Sequence, residues 1–243
     1  TLTATGTATS TASTSGVTVA GVEVGVMNIS ASTAGSVNAF IGDGATVTAG
    51  SVALSATGTQ TPTVSSSFVG VSGLSIGLTT VSASDTTAVR AYVGSAAGGT
   101  QATSVTTTGA GGITATATGT SKTRATADFV SVGILGSGGK TTTTATSASS
   151  ALAFVGTNAS VDSQGYDIAF TGVAKAAVTA QGSGVNASLG VAAGTASSTA
   201  TLTTTVGAYT VGSGTLAGRN VSFTSRLNRD AAGNTDLPSD FTV

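Results

Sequence analysis

A short marker recurs four times along the chain, and this repetition limits the possible folds more than any other feature. The marker is an aromatic residue followed closely by glycine, at Phe40, Tyr92, Phe154 and Tyr209, with spacings of 52, 62 and 55 residues. Periods of this size are typical of repeat architectures, in which each unit buries its apolar face against the next. We expect the aromatic ring to plug the interior and the glycine to turn the chain.

Two further markers recur in phase with the first. One is a Thr-Gly pair inside an alternating segment, ending at Gly6, Gly58, Gly119 and Gly172. The other is an apolar-x-apolar-Gly quartet, which we interpret as a buried strand that ends in a bend. The predicted structural anchors of the repeats are Phe40, Gly42, Tyr92, Gly94, Phe154, Gly156, Tyr209, Gly212, Gly25, Gly77, Gly133 and Gly190.

The markers divide the chain into five segments. The predicted repeats are residues 1–51, 52–112, 113–167 and 168–220, and residues 221–243 form a partial repeat or a capping or joining segment. The fifth segment begins a new repeat because Val221–Ser225 matches Ile168–Gly172.

Each unit alternates β-branched and small residues with period two, which predicts strands and not helices. A plain coil of a β-solenoid needs roughly 20–30 residues, whereas these units have 52–62. Either each unit makes two coils, or each coil carries a long arm, and we favour the arm. The predicted fold is all-β: an elongated right-handed parallel β-solenoid of four to five repeats with β-hairpin arms.

The composition excludes several classes of function. Charged residues make up 7% of the chain, against about 25% in ordinary soluble domains. A net charge of −1 gives no footprint for nucleic acid. Cys and His are both absent, so thiolate and imidazole ligands are lacking. No uninterrupted apolar run is long enough for a transmembrane helix. We expect no cofactor and no metal.

Few residues offer catalytic chemistry. Gly133–Thr142 resembles a phosphate-binding loop, but its spacing is one residue too long and a Thr run follows Lys140 where a helix should begin. Ser137 and Lys140 fit a Ser-x-x-Lys pattern without a supporting second motif. Asp43, between two glycines, is typical of a turn. We expect no catalytic residue and no enzymatic activity.

Thr-x-Thr pairs raise one further possibility, binding to ice. They include Thr46-Val47-Thr48 and the run Thr114–Thr118. Ice-binding solenoids present one such pair per coil on a flat face. We expect these pairs to run along single strands, which disfavours that function.

The segment Ala39–Gly50, followed by Ser51–Ala56, resembles repeats of large bacterial filamentous adhesins of the filamentous-haemagglutinin-like and leukotoxin-like kinds. The resemblance extends over residues 1 to about 225 and is strongest at 37–58. It implies an exported, fibrous β-solenoid at the bacterial cell surface, and it brings no catalytic residues.

These observations predict a structural or adhesive segment of an extracellular fibre. Low charge favours self-association, either end to end or lateral. The alternative is a module that binds surface glycans or host proteins through the arms or loops.

Overall fold

The computed structural model describes residues 1–96 and 98–239, and within this part of the chain the regular elements are all strands. Each coil contains one long strand and two short ones. The long strands are β1 (Leu2–Thr33), β4 (Val52–Asp85) and β7 (Ile113–Ser147); the fourth is split into β10 (Ile168–Ser188) and β11 (Val191–Leu202). The short strands are β2 (Ser36–Ile41), β3 (Thr46–Ala49), β5 (Ala88–Val93), β6 (Thr103–Thr107), β8 (Ser150–Val155), β9 (Ala159–Asp162), β12 (Thr205–Thr210) and β13 (Thr215–Ala217), and β14 (Val221–Leu227) opens a fifth coil.

All of these strands pair in parallel, which confirms the predicted all-β parallel solenoid. The long strands form one sheet in the order β1-β4-β7-β10-β14, in which β11 also pairs with β7. The short strands form two narrower sheets, β2-β5-β8-β12 and β3-β6-β9-β13. Each strand therefore bonds to the equivalent strand of the next coil.

Equivalent residues near the start of each long strand pair from one coil to the next. Val52 pairs with Ile113, Ile113 pairs with Ile168, and Ile168 pairs with Val221. One repeat is therefore one coil and not two, in agreement with the favoured interpretation of the long units.

The base of each coil is a three-sided prism. Its walls are the beginning of the long strand and the two short strands, and apolar side chains from all three fill the interior. Leu54, Val93 and Val105 represent the three walls and are each at most 1% exposed. This interior is the main apolar core of the described chain.

Beyond the base, each long strand runs outward, bends and returns, so that its two limbs form an arm. Val64 on an outbound limb belongs to one buried cluster with Val81 and Ala83 on the returning limb. The limbs contact each other through side chains, while their backbones bond to the coils above and below. The predicted arms are thus present, with hydrogen bonds between coils in place of hydrogen bonds across a hairpin.

Phenylalanine rings opposite glycines hold the two limbs of the arm together. Phe68 and Phe129 stack at 5.5 Å between ring centroids. Phe68 points at Gly25, where an added Cβ would lie 3.0 Å from the ring, and Phe129 fills the space above Gly77 and Gly139. These glycines are not bends, because their lack of a side chain makes room for a ring from the opposite limb.

The register corrects the predicted glycine alignment. Gly77 pairs with Gly25 and Gly139, whereas Gly133 pairs with Ser72 and Ser188. Gly133 and Gly190 lie at the bend, where a Cβ on either would overlap a carbonyl oxygen of the turn.

Two other predicted glycine positions are also wrong. Gly119, the partner of Gly58, pairs with Ala174 and not with Gly172. Likewise Val211 takes the position held by Gly94 and Gly156 in earlier coils, because its N–H donates to the equivalent carbonyl; Gly212 follows one residue later.

The last described residues leave the coil pattern. Asn228 follows β14 directly, and its side-chain amide bonds both the N–H and the C=O of Ala176, as a further strand residue would. The segment 229–239 then folds against the coils, with Lys175 Nζ 2.7 Å from Asp236 Oδ1. Residues 221–239 of the fifth segment therefore start a coil and then cap the neighbouring strand, and residues 240–243 lie outside the described part of the chain.

Candidate interaction surfaces

The four aromatic anchors stack in one ladder. The ring centroids of Phe40, Tyr92, Phe154 and Tyr209 are separated by 5.1, 4.8 and 5.4 Å along the ladder. The prediction that they plug the interior is wrong, because the alternate residues, such as Ala39, fill the core. The rings lie on the opposite side of the short strands, where Phe40 is 48% exposed and Phe154, between its neighbours in the ladder, is 2% exposed. Burial in the ladder raises the pKa of the Tyr92 phenol.

The arm separates the residues of the candidate catalytic motifs. Ser137 points between the limbs and is 5% exposed, whereas Lys140 lies on the outer face. The segment Gly133–Thr142 consists of the bend and the returning limb, so it provides neither a loop wrapped around a phosphate nor a helix start. Ser137 and Lys140 are close in the sequence, but the alternation of side chains along the strand puts them on opposite faces.

Other charged groups, including Asp43 and Asp167, have structural contacts. Asp43 accepts a hydrogen bond from the N–H of Gln101 at 3.3 Å. Hydrogen bonds from Arg219 and Asn220 hold the pKa of Asp167 below its ordinary value. Within residues 1–96 and 98–239, His, Cys, Asp and Glu side chains form no group of three that could hold a metal ion, and no helix has the length and hydropathy to cross a membrane.

The threonine pairs are arranged differently from the prediction. They stack across coils as well as along strands, because the strands pair in register. The rows on the outer face of the outbound limbs include Thr5, Thr57 and Thr118, and next to them Thr7, Thr59 and Thr120. The outward face near the base is therefore a regular array of hydroxyl and methyl groups.

The distal arm reverses the usual distribution of polarity. Near the bends, large apolar side chains point into solvent on both outer faces and at the crest. We call this surface the apolar wedge. It comprises Val17, Val19, Val22, Val24, Val26, Val71, Leu74, Ile76, Leu78, Val132, Ile134, Leu135, Val185, Leu189 and Val191, which are 37–90% exposed.

The interior of the distal arm is lined by polar groups. Glu23 is 7% exposed and accepts a hydrogen bond from Thr18, while its second carboxylate oxygen has no protein partner. The hydroxyls of Ser75, Ser131 and Ser137 are also buried without a protein partner. Sequence reasoning missed this inversion, although the alternation Val17-Thr18-Val19 carries the signal.

The stack ends in open strand edges. On one side β1 pairs only with β4, and on the other β14 covers only Ile168–Ala174 of β10. Unpaired strand edges are ready-made surfaces for adding further strands.

Comparison with known proteins identifies no relative. No family model, no curated protein and no solved structure matches this chain. The surfaces described above therefore carry the functional argument.

Proposed function

We propose that this chain is a structural segment of a bacterial cell-surface fibre, with adhesion as the role of the assembled fibre. The observation that carries the proposal is the in-register stacking of complete coils, in which each strand pairs with the equivalent strand of the next coil. Such a stack extends by adding coils, and its stability is approximately a sum of coil and interface contributions.

Low charge supports assembly, because few like charges repel one another when such surfaces approach. The resemblance of Ala39–Ala56 to filamentous adhesins supports a position outside the cell. Binding of glycans or host proteins stays an alternative prediction. The aromatic ladder does not favour it, since neighbouring rings already cover most of the ring faces on which a sugar would stack.

Electron microscopy and fibre diffraction of the purified chain test the proposal. We expect unbranched filaments with a strand repeat of about 4.8 Å along the filament axis. The matched variant Phe40→Lys places a charge at the open end of the aromatic ladder, and we expect it to shorten the filaments. Compact particles at every protein concentration would contradict the proposal.

We propose ice binding as a second candidate because of the threonine rows on the outer face of the outbound limbs. Regularly spaced hydroxyl and methyl groups can order water against a flat face. Thermal hysteresis measurements test this candidate. Ice binding predicts hysteresis that is lost in Thr57→Lys, whereas no hysteresis in the unmodified chain rules it out.

A further inference from the structure

The apolar wedge is too large to be an ordinary exposed surface. Full burial of one such side chain removes roughly 60–120 Å² from water, at about 25 cal/mol per Å². The fifteen side chains of the wedge are already partly covered, and their remaining exposed area is on the order of 800 Å². A standard protein interface buries about 800 Å² on each partner, so the wedge has in total the area of one such interface, divided between its two outer faces and the crest.

The unpaired strand edges of the arm indicate that the wedge binds protein and not lipid. In the described stack, β1 forms one edge of the wedge, and the end of β10 with the start of β11 forms the other. In hydrocarbon, each unpaired backbone group on these edges would cost several kcal/mol. The gain from burying the wedge would be exceeded, so the partner covers the faces and leaves the edges outside hydrocarbon, where they can pair with further coils.

The charges that border the wedge identify the partner. On the third coil, Asp128 lies on the outer face of the outbound limb and Lys140 on the outer face of the returning limb. Asp128 precedes Ile134 at the bend by six residues, and Lys140 follows Leu135 by five. The two charges therefore lie at similar depth on opposite faces of one arm.

We infer that the apolar wedge binds a second copy of this chain front to back, with the outbound face of one arm against the returning face of the next. Sheets that pack face to face lie about 10 Å apart, and this arrangement brings Asp128 of one copy opposite Lys140 of its neighbour. A two-fold dimer through one face would leave the other apolar face in water. Front-to-back packing covers both faces and continues without closing.

This inference deepens the proposed structural role and rests on it, because it supplies the lateral contacts between stacks of coils. Two variants each disable one face: Val71→Asp on the outbound face and Ile76→Asp on the returning face. Sedimentation velocity over a range of concentrations measures association, with Thr118→Asp near the base as the matched control. Circular dichroism and thermal unfolding check that every variant is folded.

We expect the unmodified chain and Thr118→Asp to form an open series of lateral oligomers, and each wedge variant alone to lose that lateral series. Mixing the two wedge variants leaves one working face on each, so we expect a 1:1 complex that grows no further. We also expect Asp128→Lys and Lys140→Asp each to weaken association at least several-fold, and the double exchange to restore it. Lateral oligomers of either folded wedge variant, or no lateral complex in the mixture, would overturn the inference.

Microscopy of the same variants separates this inference from the proposed function. Single filaments without lateral bundles in Val71→Asp support both. Bundles that persist in both wedge variants overturn the front-to-back packing and leave the fibre role intact. If the unmodified chain forms lateral oligomers but no filaments, the fibre role fails and the wedge assignment stands.

Discussion

The base and the distal arm share the same strands and the same parallel register, but they place apolar side chains on opposite sides of the sheet. In the base, Ile113 and Val93 are fully buried. In the distal arm of the same sheet, Val132 is 40% exposed while its neighbour Ser131 is fully buried. Backbone pairing therefore fixes the shape of both regions, and burial of apolar surface fixes the polarity of the base alone. The distal arm is held by hydrogen bonds between coils, by its phenylalanines and, in our proposal, by its neighbours.

Placing a charged residue in the base and another in the arm should give the largest difference in the free energy of unfolding. Ile113→Asp buries an unpaired carboxylate among apolar walls, and we expect a loss of more than about 4 kcal/mol in the free energy of unfolding. Val132→Asp points outward, and we expect a change within about 0.5 kcal/mol. Urea denaturation followed by circular dichroism measures both, and comparable losses would contradict the inverted polarity of the arm.

The next largest effect on stability concerns the phenylalanine rings that lie between the two limbs of the arm. Phe129→Ala empties the space between the limbs, and we expect a cost of about 3–5 kcal/mol. Gly77→Ala forces a methyl group into the Phe129 ring, and we expect a cost of about 1–3 kcal/mol.

A double variant tests whether these two effects have the same origin. With the ring absent, the added methyl has room, so Gly77→Ala should cost almost nothing in the Phe129→Ala background. Gly21→Ala is the matched control, because a Cβ there meets no atom within 4 Å. Additive costs in the double variant would show that the ring does not occupy the glycine space.

Adding a hydroxyl to the base and removing one from the arm should change the free energy of unfolding in opposite directions. Ala117→Ser adds an unpaired hydroxyl to the base and should cost about 1–3 kcal/mol. Ser131→Ala removes a buried hydroxyl that has no protein partner, and we expect a gain of up to about 1 kcal/mol. Urea midpoints of the two variants measure this. A loss in both would indicate that Ser131 has a stabilising partner such as bound water.

The smallest effect concerns the ion pair that joins the ends of the third and fourth coils, between Asp167 and Arg219. The pKa of Asp167 is lowered in the folded state, so its contribution is present above its unfolded pKa and disappears as the pH falls through its folded pKa. Asp167→Asn should therefore lower Tm slightly at neutral pH and not at strongly acidic pH. Thermal unfolding across this range measures the difference; a Tm difference that is independent of pH would exclude the ion pair as its cause.

The sequence predicts the base better than the arm, for physical reasons. Val52, Ile113, Ile168 and Val221 open the coils with the same kind of side chain, so the repeat boundaries are recoverable from the pattern. The sequence aligns the aromatic residues of successive repeats correctly because aromatic residues are rare in this chain, with 3 Tyr and 7 Phe. Glycine is common, with 35 residues, so an alignment of two repeats that is wrong by a few positions still pairs one glycine with another.

The side that faces inward could not be predicted from alternation alone. Ala39-Phe40-Ile41 is apolar on both faces, and only packing against the other two walls decides that Phe40 points outward. In Val17-Thr18-Val19 the ordinary expectation buries the valines, whereas the opposite limb places the threonine inside. The bend adds a further difficulty, because Ile134 and Leu135 stand where coil two has only Gly73 and so shift the register.

The long coil also determines how this protein would respond to tension. One coil adds only about 4.8 Å to the height of the stack, yet it contains 52–62 residues. A coil pulled out of the stack would release roughly 170–220 Å of extended chain. A pulled fibre would therefore lengthen in large steps, one coil at a time, while the remaining coils stay folded. Unfolding of each coil would therefore absorb mechanical work before the fibre breaks.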